Sequence, residues 1–66
     1  MDWQDRLIIE EKDLVKKITK LEAFIEDKDV ENLTNTLFAN MNTQLVGMRI
    51  YKQALSTRID ILGIER

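Results

Sequence analysis

The chain has 66 residues, 12 of them acidic and 10 basic, which gives a formal net charge of −2. A chain this short forms one domain over residues 1–66, and its own core contributes only about 3–5 kcal/mol. Cys and His are both absent from the sequence, which excludes disulfides and Cys/His metal centres and leaves self-association as the means of supplementing the core. The acidic balance argues against binding to DNA or RNA.

The longest purely apolar run covers only residues 7–9, so the sequence predicts no membrane span and no membrane partner. No charged segment followed by an apolar run opens the chain, and there is no cysteine framework of the kind found in secreted domains. We therefore expect a cytoplasmic protein.

The first predicted element is a long amphipathic helix over about residues 2–26. No Gly or Pro interrupts this stretch, and its apolar residues follow a heptad pattern. The two seam positions hold Leu7, Leu14, Leu21, Ile18 and Ile25. Glu11 is the one interruption. Further apolar residues flank the seam, so the stripe is wide enough to pack on more than one neighbour.

A turn is predicted over about residues 27–31, where the periodicity is lost and Asp and Asn residues gather. Asp29 and Asn32 are both suitable N-caps for a second helix, and the pattern favours neither. The second helix is predicted over about residues 32–62. Its seam positions hold Phe38, Met41, Leu45, Met48, Leu55, Ile59 and Leu62. Lys52 breaks the series.

Apolar residues off the second seam predict another buried face. They are Val46, Ile50, Tyr51 and Ile61. Gly47 in the same helix is either a close approach between helices or a tolerated glycine that costs roughly 1 kcal/mol. The fold class that follows is all-α: an antiparallel hairpin of two long amphipathic helices that assembles into a helical homo-oligomer.

Residues suited to catalysis are scarce, because there is no His, no Cys and no Gly-rich phosphate loop. We predict that the protein is not an enzyme and uses no metal and no cofactor. Glu10, Glu11 and Asp13 form a local acidic group, but neighbouring helical residues point in different directions. We interpret these three carboxylates as a solvated face.

Four lysines cluster in the first helix, with Lys12, Lys16 and Lys20 at i, i+4 spacing and Lys17 to one side. Like charges at this spacing repel slightly, so the cluster is solvated, paired or facing an anion. Pairing of Asp13 with Lys16 or Lys17 is the expected arrangement, although such pairs are worth little.

Three further side chains each have two interpretations. Trp3 either staples the helix start onto a neighbouring chain or stacks on a ligand base. Tyr51 carries the same ambiguity as Trp3, because its ring can fill an interface while its hydroxyl reaches a polar partner. Arg58 balances the negative end of its helix or holds a phosphate.

The joint pattern of the two helices resembles the second anti-CBASS protein family of phages, the small cyclic-oligonucleotide sponges. The first half matches over residues 6–11 and at Leu14, Lys17, Lys20, Leu21, Phe24 and Ile25. The second half matches at Val30, Leu33, Gln44, Met48, Tyr51, Leu55, Arg58 and Ile59. The match covers nearly the whole chain, and its specificity comes from the combination of positions.

This resemblance implies a helical homo-oligomer, hexameric in the family, that sequesters cyclic dinucleotides such as cyclic GMP-AMP in the cytoplasm of a host bacterium. It implies that Trp3 stacks on a base, that Lys17 holds the nucleotide, and that Arg6 and Tyr51 belong to the same ligand site. Thr19 and Arg58 are the positions implied for a second site, for cyclic trinucleotides. The alternative is a structural helical oligomer or a protein-binding adaptor without a nucleotide ligand.

Overall fold

The computed structural model describes residues 2–27 and 34–66, in which the chain forms two α-helices. Helix α1 spans Trp3–Glu26 and helix α2 spans Asn35–Ile61. The helices have 24 and 27 residues and pack side by side in a molecule of 44 × 16 × 15 Å. This confirms the predicted all-α hairpin. Neither of the described helices is both long and apolar enough to span a membrane.

The two helices run antiparallel, as two contacts between them demonstrate. Glu22, near the end of α1, pairs with Arg49 of α2 at 3.1 Å. Glu11, which comes earlier in α1, accepts a hydrogen bond from the hydroxyl of Ser56 in α2 at 2.6 Å. Earlier residues of α1 therefore meet later residues of α2.

The start of α2 differs from the sequence prediction. Thr34 is the N-cap, and its hydroxyl oxygen accepts a hydrogen bond from the backbone N–H of Leu37 at 3.2 Å. The predicted caps Asp29 and Asn32 were therefore wrong, and both lie in 28–33, outside the described residues. A Thr hydroxyl satisfies an orphan amide in the same way as Asp or Asn, so capping propensity alone did not distinguish the three positions.

The core is a strip of aliphatic side chains between the helices. Its buried members are Leu14, Ile18, Leu45, Leu55 and Ile59, and Leu21, Ile25 and Met48 pack against the first three. All eight are predicted seam residues. The seam prediction was wrong at two outer positions, since Phe38 is 39% exposed and Leu62 is 47% exposed. The antiparallel contacts place Phe38 beyond the last residue of α1 and Leu62 near its first residue. At both places little of α1 is left to cover the side chain.

A left-handed turn ends α2. Gly63 has φ +67°, its N–H donates to the carbonyl of Asp60 at 3.1 Å, and the N–H of Ile64 donates to the carbonyl of Ile59 at 3.2 Å. This pair of hydrogen bonds is the Schellman motif, which uses Gly because other residues strain in the left-handed region. The turn sends the last residues back toward α1.

Candidate ligand-binding groove

One long edge of the hairpin carries a groove, here called the proximal groove, of about 440 Å³. Arg6, Glu10, Asp13 and Lys17 recur every three or four residues, which places them on one side of α1. The lining consists of Arg6, Ile9, Glu10, Asp13, Leu14, Lys17 and Tyr51. Its size falls in the range of small-molecule pockets. An apolar floor with charged walls suits a ligand that has both flat and ionic parts.

Three of the four side chains assigned to the first ligand site line this groove: Arg6 and Lys17 from α1, and Tyr51 from α2. The fourth, Trp3, is the first residue of α1, is 53% exposed and is not part of the lining. It lies one turn before Arg6 on the same side of the helix. Trp3 therefore stands beyond the open end of the groove.

The charges in the proximal groove balance, because its lining holds two cations, Arg6 and Lys17, and two carboxylates, Glu10 and Asp13. No ion pair forms between these four side chains. The cations are therefore available to an anion, and the carboxylates are available to hydrogen-bond donors on a base.

The predicted pairing of Asp13 with Lys16 or Lys17 was wrong. None of the four clustered lysines makes an ion pair with another described residue. The Coulomb gain of an exposed pair barely offsets the loss of side-chain freedom, so spacing alone does not enforce such a contact.

A second groove, the distal groove, continues along the same edge and has a volume of about 430 Å³. Its lining consists of Lys17, Lys20, Leu21, Phe24, Met41, Gln44 and Met48. Lys17 is shared with the proximal groove. Two cations line the distal groove and no carboxylate does, so its electrostatic potential favours an anion more strongly than that of its neighbour.

The two residues assigned to a second nucleotide site do not meet in a common groove. The Thr19 hydroxyl donates to the carbonyl of Val15 at 3.0 Å, one turn back in α1. Arg58 lies near the level of Glu11, which is eight residues and about 12 Å along α1 from Thr19. It lines a different groove, on the outer side of α2, with Ile50, Ala54, Ile61 and other residues.

A polar network beside Glu11 overturns part of the sequence interpretation. Glu11 is only 8% exposed, so it does not belong to a solvated face. Arg66 donates to its two carboxylate oxygens at 2.8 and 3.0 Å, and Ser56 donates at 2.6 Å. These hydrogen bonds, first from Arg66 and then from Ser56, lower the pKa of Glu11 from 4.5 to about 2.

Sequence reasoning missed both partners of Glu11, Arg66 and Ser56. The available signal was the position of Glu11 in the seam, because a carboxylate among seam leucines is buried only when it is satisfied by donors. The identity of those donors depends on the turn at Gly63, which returns Arg66 to α1.

Over residues 2–27 and 34–66, no group of three or more Asp, Glu, His or Cys side chains is arranged to hold a metal ion. No curated protein and no solved structure matches the chain. A family model described as Sequestin matches residues 1–61, which is nearly the whole chain. That name fits a sponge-type binding protein, as the resemblance to phage sponges implies, and indicates no catalytic family. The match identifies this chain as a member of the Sequestin family.

Proposed function

We propose that this protein is a phage anti-defence protein that binds and sequesters cyclic dinucleotide second messengers such as cyclic GMP-AMP. It acts stoichiometrically in the cytoplasm of the host bacterium, without catalysis, and prevents activation of the CBASS effector by removing its ligand. The observation that carries the proposal is the meeting of Arg6, Lys17 and Tyr51 in one groove of a chain from the Sequestin family.

The chemistry of the proximal groove fits a nucleotide better than a simple anion. Arg6 and Lys17 offer charged donors to phosphate oxygens. Tyr51 is 46% exposed and offers a ring face for stacking on a base. Glu10 and Asp13 would repel a bare phosphate, but carboxylates accept hydrogen bonds from the N–H groups of a purine edge. Together these side chains complement a molecule that joins phosphate to purine.

Self-association belongs to the proposal, because one hairpin is too thin to enclose such a ligand. The accessible surface is 5221 Å², whereas a compact monomer of this mass exposes about 4400 Å². The excess of about 800 Å² is comparable to what one partner buries in a stable interface. We propose a homo-oligomer, a hexamer as in the phage sponges that the chain resembles, in which a neighbouring protomer covers the open side of the groove.

Isothermal titration of the wild-type chain with a panel of nucleotides tests the proposal. The panel holds cyclic dinucleotides, cyclic trinucleotides and one pyrophosphate-linked adenine nucleotide, NAD. We expect a cyclic dinucleotide to bind and Lys17→Gln to weaken its binding about tenfold or more, since a charge-assisted hydrogen bond is lost. Lys12→Gln is the matched control, because Lys12 lies on the opposite side of α1 and also has no ion-pair partner among the described residues.

The outcomes separate the possible ligand classes. No heat with any nucleotide at tens of micromolar contradicts the proposal and favours the structural or adaptor role. If NAD alone binds, the sequestering role stands, but the ligand is a pyrophosphate-linked nucleotide and not a cyclic dinucleotide. Trp3→Ala decides between the two roles of that side chain: stacking predicts weaker binding at unchanged oligomer mass, and stapling predicts a changed mass.

A further inference from the structure

We propose that the distal groove is the second half of the same ligand site, receiving the second base and second phosphate of a dinucleotide whose first half occupies the proximal groove. The inference rests on the proposed function and deepens it. It assigns Lys20 and Phe24 as ligand-binding residues and makes Lys17 the cation shared by both halves.

Lys17 lines both grooves, which meet there and are together called the trough. On α1, Lys17, Lys20 and Phe24 follow one another at helical-face spacing, and Phe24 lies about 10 Å beyond Lys17 along the axis. On α2, Tyr51, Met48 and Gln44 follow at the same spacing in the opposite direction. The trough therefore extends along both helices from Arg6 to Phe24.

Each half of the trough offers one aromatic ring and its own cation. The proximal half has Tyr51 and Arg6, and the distal half has Phe24 and Lys20. Phe24 is 49% exposed, so its ring is available for stacking. A dinucleotide with two bases and two phosphates has the same repeat. A mononucleotide would leave one ring and one cation unused.

A second copy of this chain is the competing occupant of the distal groove, and the charges argue against it. Lys17 and Lys20 stand one turn apart without an ion-pair partner among the described residues. Covering both ammonium groups with an apolar helix face would strip their water and leave the charges uncompensated. A phosphate neutralises them instead.

The test compares Phe24→Leu, Phe24→Tyr, Lys20→Gln and the control Lys12→Gln in titrations with cyclic GMP-AMP. Leu keeps the apolar bulk and removes the ring, so we expect Phe24→Leu to weaken binding about tenfold, as expected for one lost stacking contact. We expect Lys20→Gln to weaken it about three- to tenfold. Phe24→Tyr keeps the ring and should restore most of the affinity lost in Phe24→Leu, and Lys12→Gln should bind as the wild type does.

A second readout comes from NMR in the same titration, in which the ring resonances of Phe24 and Tyr51 should shift together at one ligand equivalent. The inference is overturned if only Tyr51 shifts, or if Phe24→Leu and Lys20→Gln bind like the wild type. It is also overturned if Phe24→Leu alters the oligomer mass at unchanged affinity, because the groove is then a protein interface. If the wild-type chain binds no nucleotide, the proposed function itself is wrong. That result is distinguishable from a failure of the two-groove inference, in which the wild-type chain still binds.

Discussion

Glu11 is a charged residue at an apolar seam position of α1, and it is nevertheless buried there. A carboxylate in an aliphatic seam is unfavourable unless donors replace its water. Ser56 and Arg66 supply them, and Arg66 also donates to Asp60 at 2.7 Å. The side chain of Arg66 is 39% exposed, so the network sits at the protein surface on one side and at the core on the other. It ties the chain end to the middle of α1.

The network makes stability depend on acid. Because the folded-state pKa of Glu11, about 2, is below its ordinary value of 4.5, its contribution is fully present above pH 4.5 and is lost as the pH falls toward 2. We expect the free energy of unfolding, measured by urea denaturation, to fall across that window in the wild type. Glu11→Gln should flatten this part of the profile. An unchanged slope in Glu11→Gln would contradict the assignment.

The site residues were only partly predictable from sequence. Lys17 and Arg6 could be placed together from the sequence because helical spacing fixes the side of α1 on which they lie. Lys20 and Phe24 were visible as members of a pattern, but the groove they line depends on Met41 and Gln44 from the other helix. Spacing within one helix does not determine which residues of another helix stand opposite.

The two helices themselves were predictable because their heptad pattern is long and free of Pro. α1 begins and ends within one residue of the predicted range, and α2 begins three residues later than predicted. Helix starts depend on one hydrogen bond to a short polar side chain, and several residues near the turn are able to make it. The direction of the chain after α2 depends in the same way on a single glycine.

Gly63 controls the end of α2, and a substitution there tests that element. Its φ of +67° is unfavourable for a residue with a Cβ, so we expect Gly63→Ala to lower the free energy of unfolding by about 1 kcal/mol. The measurement is urea denaturation followed by circular dichroism at neutral pH. Gly63→Asn is the matched control and should lose less, because Asn tolerates the left-handed region. Equal losses for both variants would mean that the turn conformation does not limit stability.

The whole molecule is elongated, with a radius of gyration of 14.8 Å, whereas a compact domain of this length has about 11 Å. Three of its large exposed apolar side chains, Val46, Ile50 and Ile61, lie on the side of α2 that faces away from α1, here called the back face. The back face consists of Thr36, Ala39, Thr43, Val46, Ile50, Ala54, Thr57 and Ile61, all exposed. None of these residues is charged, and Gly47 beside them has no neighbour within 4 Å of an added Cβ. A second helix can therefore approach closely along this face.

An interface on the back face predicts a specific effect of charge on assembly. Ile50 is 63% exposed in one hairpin and lies at the middle of the back face. In an oligomer packed through this face, Ile50→Glu would bury an uncompensated carboxylate, so we expect association to weaken about a hundredfold or more. Asn40→Glu adds the same charge at an exposed position of α2 outside the face and should leave assembly unchanged.

Light scattering coupled to size-exclusion chromatography provides the measurement. A wild-type hexamer would have a mass of about 47 kDa, six times the 7.8 kDa of one chain, and Ile50→Glu should elute as a smaller species. A wild-type mass of one chain would contradict self-association altogether. If the Ile50→Glu oligomer is as stable as the wild type, the interface lies on a surface other than the back face. Because the lysine-lined trough lies on an edge of the hairpin and the back face lies on the outer side of α2, assembly through the back face leaves the trough uncovered, and the protomer that covers the groove must do so through a second surface.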